Sequence, residues 1–255
     1  MKLYAYNTGW QTVALRGFDQ PRLRVPTPVF LIDHPEGLVL VDSGFHPDAV
    51  REPDARIGFP AKVVGFEQEE GEDVASRLQT GGVELGEIRY LVNTHLHFDH
   101  AGGNSLIPRS ATMVVHWREW AAVCSPHDIV RNFYCALDYA DPRPRLEVEG
   151  DHDLFGDGKI TLVETPGHTP GHQSVRVTLD GGDVVLAGDS CYLTEWIDSG
   201  ATSPIVGYDK QAEVASLARL RAMRDAGAHI LVGHDPDQWT RIPEAPESIE
   251  PAAVS

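Results

Sequence analysis

Thr94-His95-Leu96-His97-Phe98-Asp99-His100-Ala101-Gly102-Gly103 sets three imidazoles and a carboxylate within the six residues His95 to His100. Imidazole nitrogen and carboxylate oxygen together suit a divalent transition metal such as zinc. At the chain's own His and Asp frequencies, an HxHxDH pattern arises by chance in roughly two of a thousand such sequences, so a merely exposed histidine cluster is the weaker reading. The motif follows the apolar run Tyr90–Val92 and therefore sits where a strand stops.

Three other places repeat that arrangement. Ile160–Val163 leads through Glu164-Thr165-Pro166-Gly167 to His168, Val184–Ala187 leads to Gly188-Asp189, and Ile230–Val232 leads to Gly233-His234. Strand ends gathered at one sheet edge can aim side chains into one cleft, and glycine lets the backbone turn tightly there. The candidate metal ligands are thus His95, His97, Asp99, His100, His168, Asp189 and His234. Seven exceed the four of a tetrahedral zinc site, but fit two metals sharing a bridging carboxylate.

The rest of the chain sets the frame. Its 255 residues are 42% hydrophobic, enough for a full core, and carry 21 Lys+Arg against 38 Asp+Glu, a formal charge of −17. That acidity repels phosphate backbones and anionic lipid, which disfavours nucleic acid and membrane as partners and favours a small neutral substrate. Met1 to Phe18 contains no apolar run of signal-peptide length, and no stretch approaches a membrane span, so a cytoplasmic location is expected. Cys124, Cys135 and Cys191 are odd in number and widely spaced, and read as reduced thiols.

Further short apolar runs at Val29–Ile32, Leu38–Val41, Thr112–Val115 and Ser174–Leu179 read as strands. Gln211–Ala226 reads as an amphipathic helix stopped by Gly227, and Glu69–Leu78 as a surface helix with an acidic first turn. Strands mixed with helices predict an α/β or α+β layered domain over residues 1–241. Cys124–Gly150 is expected to form short helices over a site, and residues 242–255, with three prolines and three glutamates, a flexible tail with little to bury.

These motifs resemble the metallo-β-lactamase superfamily, and within it the bacterial N-acyl homoserine lactonases that quench quorum sensing. The superfamily likeness rests on the THLHFDHAGG, TPGHTPGH, AGDS and VGHD segments and on Leu40-Val41-Asp42-Ser43-Gly44; the lactonase likeness rests on Phe98, Tyr192 and Gly207-Tyr208-Asp209. The resemblance implies an αββα sandwich, with His95, His97 and His168 on one metal, Asp99, His100 and His234 on the other, and Asp189 bridging. It also implies two divalent ions per chain, zinc being the expectation and iron, cobalt or manganese acceptable to the same donors.

Two such ions activate a water and clamp both the attacked carbonyl oxygen and the leaving oxygen, which suits the opening of a small lactone. Asp99 could carry the proton to the ring oxygen. By resemblance, Tyr192 hydrogen-bonds the substrate carbonyl region, and Gly207 and Phe98 lie against the substrate. Phe98, Trp117, Trp120, Phe133 and Trp196 are candidates for an acyl-chain trough, with core packing the alternative for at least half of them. Asp42 is balanced between orienting a ligand histidine and forming a turn, whereas His116, His172 and Cys191 read as structural. Other lactones or esters, phosphotriesters and a glyoxalase-type thioester remain as alternative substrates. Oligomeric state, a homodimer included, is left open.

Overall fold

Alternation along one strand decides the layering. In β2 (Leu23–His34), Phe30 and Ile32 enter one buried cluster while Val29 and Leu31 enter another, the period-two pattern of a strand covered on both faces. The computed structural model describes residues 1–251, apart from the side chain of Val130.

Among those residues, twelve strands form two sheets. One takes β1 (Lys2–Val13), β2, β3 (Gly37–Val41), β4 (Gly65–Glu67), β5 (Ile88–Val92), β6 (Thr112–His116) and β7 (Arg145–Val148) in the order β4-β1-β2-β3-β5-β6-β7. Its β4-to-β3 half is antiparallel and its β3-to-β7 half parallel. The other takes β8 (His152–Asp153), β9 (Ile160–Glu164), β10 (Gln173–Leu179), β11 (Gly182–Leu186) and β12 (His229–Leu231) in the order β12-β11-β10-β9-β8.

Phe30, Ile32, Val39, Val41, Val92 and Val114 from the first sheet meet Ile160, Leu162, Val175, Val177, Val184 and Leu186 from the second in one core. Outside the first sheet, Leu31, Leu40 and Leu91 pack on Val74 and Leu78 of helix Val74–Thr80. Outside the second, Val185, Ile230 and Val232 pack on Leu217 and Leu220 of helix Lys210–Asp225. Helix, sheet, sheet, helix is the αββα sandwich expected above. No described helix is long and apolar enough to cross a membrane.

Several expectations need correction. The surface helix starts at Val74, not Glu69, because Gly71 turns the chain at φ +88° and Asp73 caps the first turn by accepting from Ser76 N–H. Cys124–Gly150 does contain helices Pro126–Asn132 and Ala136–Tyr139, but also strand β7. Residues 242–251, expected as a loose tail, pack against β1: Ala245 N–H donates to Ala5 O, Ile249 N–H donates to Leu3 O, and Ile242 and Ile249 are buried in the inter-sheet core. The remainder of that tail, 252–255, lies outside the described residues.

Candidate metal centre and cavity

The seven candidate ligands come from both sheets. His95, His97, Asp99 and His100 follow β5, while His168, Asp189 and His234 follow β9, β11 and β12 of the opposing sheet. All seven side chains are buried at one end of the sandwich. They form two groups, His95/His97/His168/Asp189 and Asp99/His100/His234/Asp189, in each of which one donor atom per residue lies within 4.8 Å of the others.

Asp189 divides its two oxygens between them. Oδ2 lies 3.4 Å from His168 Nε2 and 3.9 Å from His95 Nε2, whereas Oδ1 lies 3.1 Å from both His100 Nε2 and His234 Nε2. Asp99 Oδ2 completes the second group, 3.5 Å from His234 Nε2 and 3.8 Å from His100 Nε2. In the first group His95 Nε2, His97 Nδ1 and His168 Nε2 form a triangle with edges of 2.9 to 3.2 Å. Three converging lone-pair nitrogens repel one another unless a cation sits among them. A tetrahedral zinc site would set such edges at about 3.4 Å. The donor sets therefore fit two adjacent divalent ions sharing Asp189.

In four of the five imidazoles the opposite ring nitrogen is tied down, which fixes that ring's orientation. His100 Nδ1 lies 2.7 Å from Asp42 Oδ2, His234 Nδ1 2.8 Å from Pro26 O, His168 Nδ1 3.1 Å from the Tyr192 hydroxyl, and His95 Nδ1 3.1 Å from Thr94 Oγ1. Asp42 thus plays both of its candidate parts, since it also turns the chain at φ +59°. His172 lies outside the two groups: its Nε2 accepts Asp189 N–H at 3.0 Å, and its Nδ1 lies 3.0 Å from Thr165 Oγ1. His116 lies 3.0 Å from Glu164, and Cys191 is packed under helix Lys210–Asp225.

Electrostatics divides the site. Burial holds His95 and His168 well below the ordinary imidazole range. Burial also opposes charge on His100, but Asp189, Asp99 and Asp42 outweigh it and hold that imidazole well above its usual value. Asp189 stays ionised despite burial because His100 and His234 face it.

A cavity of about 170 Å³ opens above the two groups. Asp99, Asp189, His97 and His234 form its polar floor together with Tyr192, and Val13, Leu15, Val25, Val63 and Val64 are among its apolar walls. Phe98 and Phe133 line it as expected from sequence, while Trp117, Trp120 and Trp196 do not; Phe18 and Phe59 line it instead. Trp196 is core beneath Tyr192, and Trp120 packs in the cluster under β6. Gly207 does not line the cavity, although Ile205 and Val206 before it do. At Gly207 φ is +123°, and a Cβ would come within 2.1 Å of Glu213 Oε1, so only glycine fits that turn.

Two polar residues at the site escaped the sequence reading. Gln11, on β1, donates from Nε2 to Asp99 Oδ2 at 2.8 Å. Glu119, in helix Trp117–Val123, is fully buried behind the first group.

The model of the Metallo-beta-lactamase superfamily matches residues 22–234, a span that contains every one of the seven candidate ligands. The chain belongs to the metallo-beta-lactamase superfamily. Among its relatives in that superfamily, N-acyl homoserine lactonase AttM of Azorhizobium caulinodans is 31% identical over 229 residues, covering 87% of this chain and 86% of that protein. N-acyl homoserine lactonase AiiA of Bacillus thuringiensis subsp. kurstaki is 29% identical over 230 residues, covering 89% and 88%. A solved structure of an N-acyl homoserine lactone hydrolase, with N-hexanoyl-L-homoserine bound at its catalytic metal centre, matches with a TM-score of 0.86 at 27% identity, covering 97% of this chain and 98% of that one.

Proposed function

We propose that this chain is a dinuclear-metal lactonase that hydrolyses the ring ester of N-acyl homoserine lactones. The observation that carries the reading is the pair of His/Asp groups joined through Asp189 on the floor of an otherwise apolar cavity. That floor suits a small polar ring and those walls an acyl chain, and the full-length relatives are lactonases. Zinc is the metal the donors favour. When bound, a pair of divalent ions supplies an activated water and polarises the ester carbonyl.

The chain's own groups account for the rest. His168 turns Nε2 to the ligand group, so its proton sits on Nδ1 and is donated to the Tyr192 oxygen 3.1 Å away. The Tyr192 O–H donates away from His168: it bonds Asp189 and, lining the cavity, can turn toward the oxygen on which charge develops. Burial, with Asp189 and Asp99 nearby, pushes that phenol well above its usual pKa and keeps it a neutral donor. Asp99 Oδ2 accepts from Gln11 and faces His100 and His234, which leaves Oδ1 to pass a proton to the departing ring oxygen. Each methylene of an acyl chain buried against the apolar walls contributes about 0.8 kcal/mol to binding. Phe98, on the floor side, packs edge-on to Phe66 and so holds a fixed wall.

Mass spectrometry of N-hexanoyl homoserine lactone incubated with the zinc-loaded protein tests the reading. Gain of one water with the acyl chain retained is the expected product, and acid should close the ring again. Release of free homoserine lactone would identify amide cleavage, and inertness toward lactones beside rapid thioester or phosphotriester turnover would move the chain to another branch of the superfamily.

A further inference from the structure

Glu119 is a carboxylate with no solvent exposure, and among the described residues it enters no ion pair. Burial alone makes such a group costly unless hydrogen bonds satisfy it. Its partners are distributed in a telling way. Oε1 accepts Leu96 N–H at 2.9 Å and the Tyr134 hydroxyl at 2.9 Å, and Oε2 accepts Gly171 N–H at 3.0 Å.

Each partner belongs to, or packs against, a segment that carries the His95/His97/His168 triangle. Leu96 is the residue between His95 and His97. Gly171 closes the loop that begins at His168, and a Cβ there would lie 2.1 Å from Glu119 N, so the loop is pressed directly on helix Trp117–Val123. Tyr134 lays its ring against His97, with centroids 5.5 Å apart. The second group is held by other means, His100 by Asp42 and His234 by Pro26 O.

We propose that Glu119 is the positioning residue for the first metal site alone: its carboxylate clamps the loop bearing His95 and His97 to the loop bearing His168, and so presets their triangle of nitrogens. This rests on the metal-site reading above. Both backbone partners are obligate donors, which requires an acceptor at each oxygen. Burial pushes the Glu119 carboxyl above its usual range while the same hydrogen bonds oppose that shift. A glutamine there must turn its NH2 toward Leu96 N–H or Gly171 N–H and open one side of the clamp.

Zinc affinity, measured by chelator competition in two backgrounds, tests the assignment. His234→Ala leaves the first site intact, and His97→Ala leaves the second. Glu119→Gln is expected to weaken zinc 10- to 100-fold in the His234→Ala background and less than twofold in the His97→Ala background, with an unchanged far-UV spectrum. Equal losses in both backgrounds would reduce Glu119 to general packing, and no loss in the first would overturn the clamp. Should Glu119→Gln fail to fold, Tyr134→Phe removes one donor and keeps the carboxylate. A several-fold loss confined to the first site then supports the assignment, and unaltered affinity overturns it. If the unsubstituted chain holds fewer than two zinc equivalents, the dinuclear reading itself fails and Glu119's assignment falls with it; two equivalents without lactone hydrolysis would sink only the substrate.

Discussion

Asp42 and His100 meet at 2.7 Å, Oδ2 to Nδ1, across the junction between β3 and the loop after β5. The same carboxylate accepts Thr94 N–H and Thr94 O–H, both at 2.8 Å. One aspartate therefore orients a candidate ligand imidazole and anchors Thr94, the residue before His95. Asp42→Asn keeps the shape but can no longer accept on both oxygens. Zinc affinity at the second site should fall 10- to 100-fold, as read by chelator competition. Asp42→Gly relieves the positive φ yet removes the acceptor, so it should lose metal as well, which separates side-chain chemistry from backbone ease.

Asp189→Asn removes the negative charge shared by both groups. Metal content after reconstitution should drop below two equivalents by elemental analysis, with lactone hydrolysis lost in parallel. Full activity with both ions retained would contradict the bridging geometry.

Tyr192→Phe deletes a donor without deleting a ligand. Metal content should be unchanged while kcat for the best lactone falls on the order of tenfold to a thousandfold. Unaltered kcat and KM would return Tyr192 to packing beneath the cavity.

Arg56 and Asp138 form a buried pair at 2.5 Å that joins the segment before Phe59 to helix Ala136–Tyr139, with side chains 7% and 0% exposed. Arg56→Met leaves Asp138 buried without its counter-ion and should lower stability by about 3–5 kcal/mol in denaturant unfolding. The double variant Arg56→Met, Asp138→Leu should recover much of that loss. If it does not, the pair is not the cause.

Thiol reactivity should follow burial. Cys191 is pushed up to about 12 by burial, chiefly, so below pH 9 almost none of it is thiolate; Cys124 is exposed. A disulfide reagent at pH 8 should label Cys124 quickly and Cys191 only after unfolding. Raising the pH toward 12 increases Cys191 thiolate, so native labelling of Cys191 at pH 8 would mean that its site opens.

Legibility in the sequence tracked how each residue does its work. The seven residues that gather into the two His/Asp groups were readable because metal-binding chemistry demands rare residue types at strand ends, where the pattern cannot be mistaken for a core. β1 was not, because Asn7, Thr8, Gly9 and Gln11 break its apolar run, and the three polar side chains among them serve internal contacts: Gln11 reaches Asp99, Thr8 donates to Thr27 O, and Asn7 accepts Thr27 N–H. β7 and β8 are short and polar, and their pairing, with no apolar alternation behind it, makes them strands. Glu119, in His116-Trp117-Arg118-Glu119-Trp120, looks like an ordinary helix charge, and its burial depends on loops far away in sequence. The cavity aromatics divided for the same reason: Phe59 and Phe133 stack at 5.8 Å from segments that nothing local relates.

The docking of residues 242–251 on β1 has a kinetic side. β1 finds β2 almost at once, since the two are neighbours in sequence, but Leu3 O and Ala5 O must wait for Ile249 N–H and Ala245 N–H from roughly 240 positions later. A chain emerging from the ribosome thus carries this strand incompletely covered until the segment through Ile249 is made, with Leu3 and Ala5 open to stray pairing. Chains cut short before residue 242 should accumulate as collapsed, aggregation-prone species even though all seven residues of the two His/Asp groups are present.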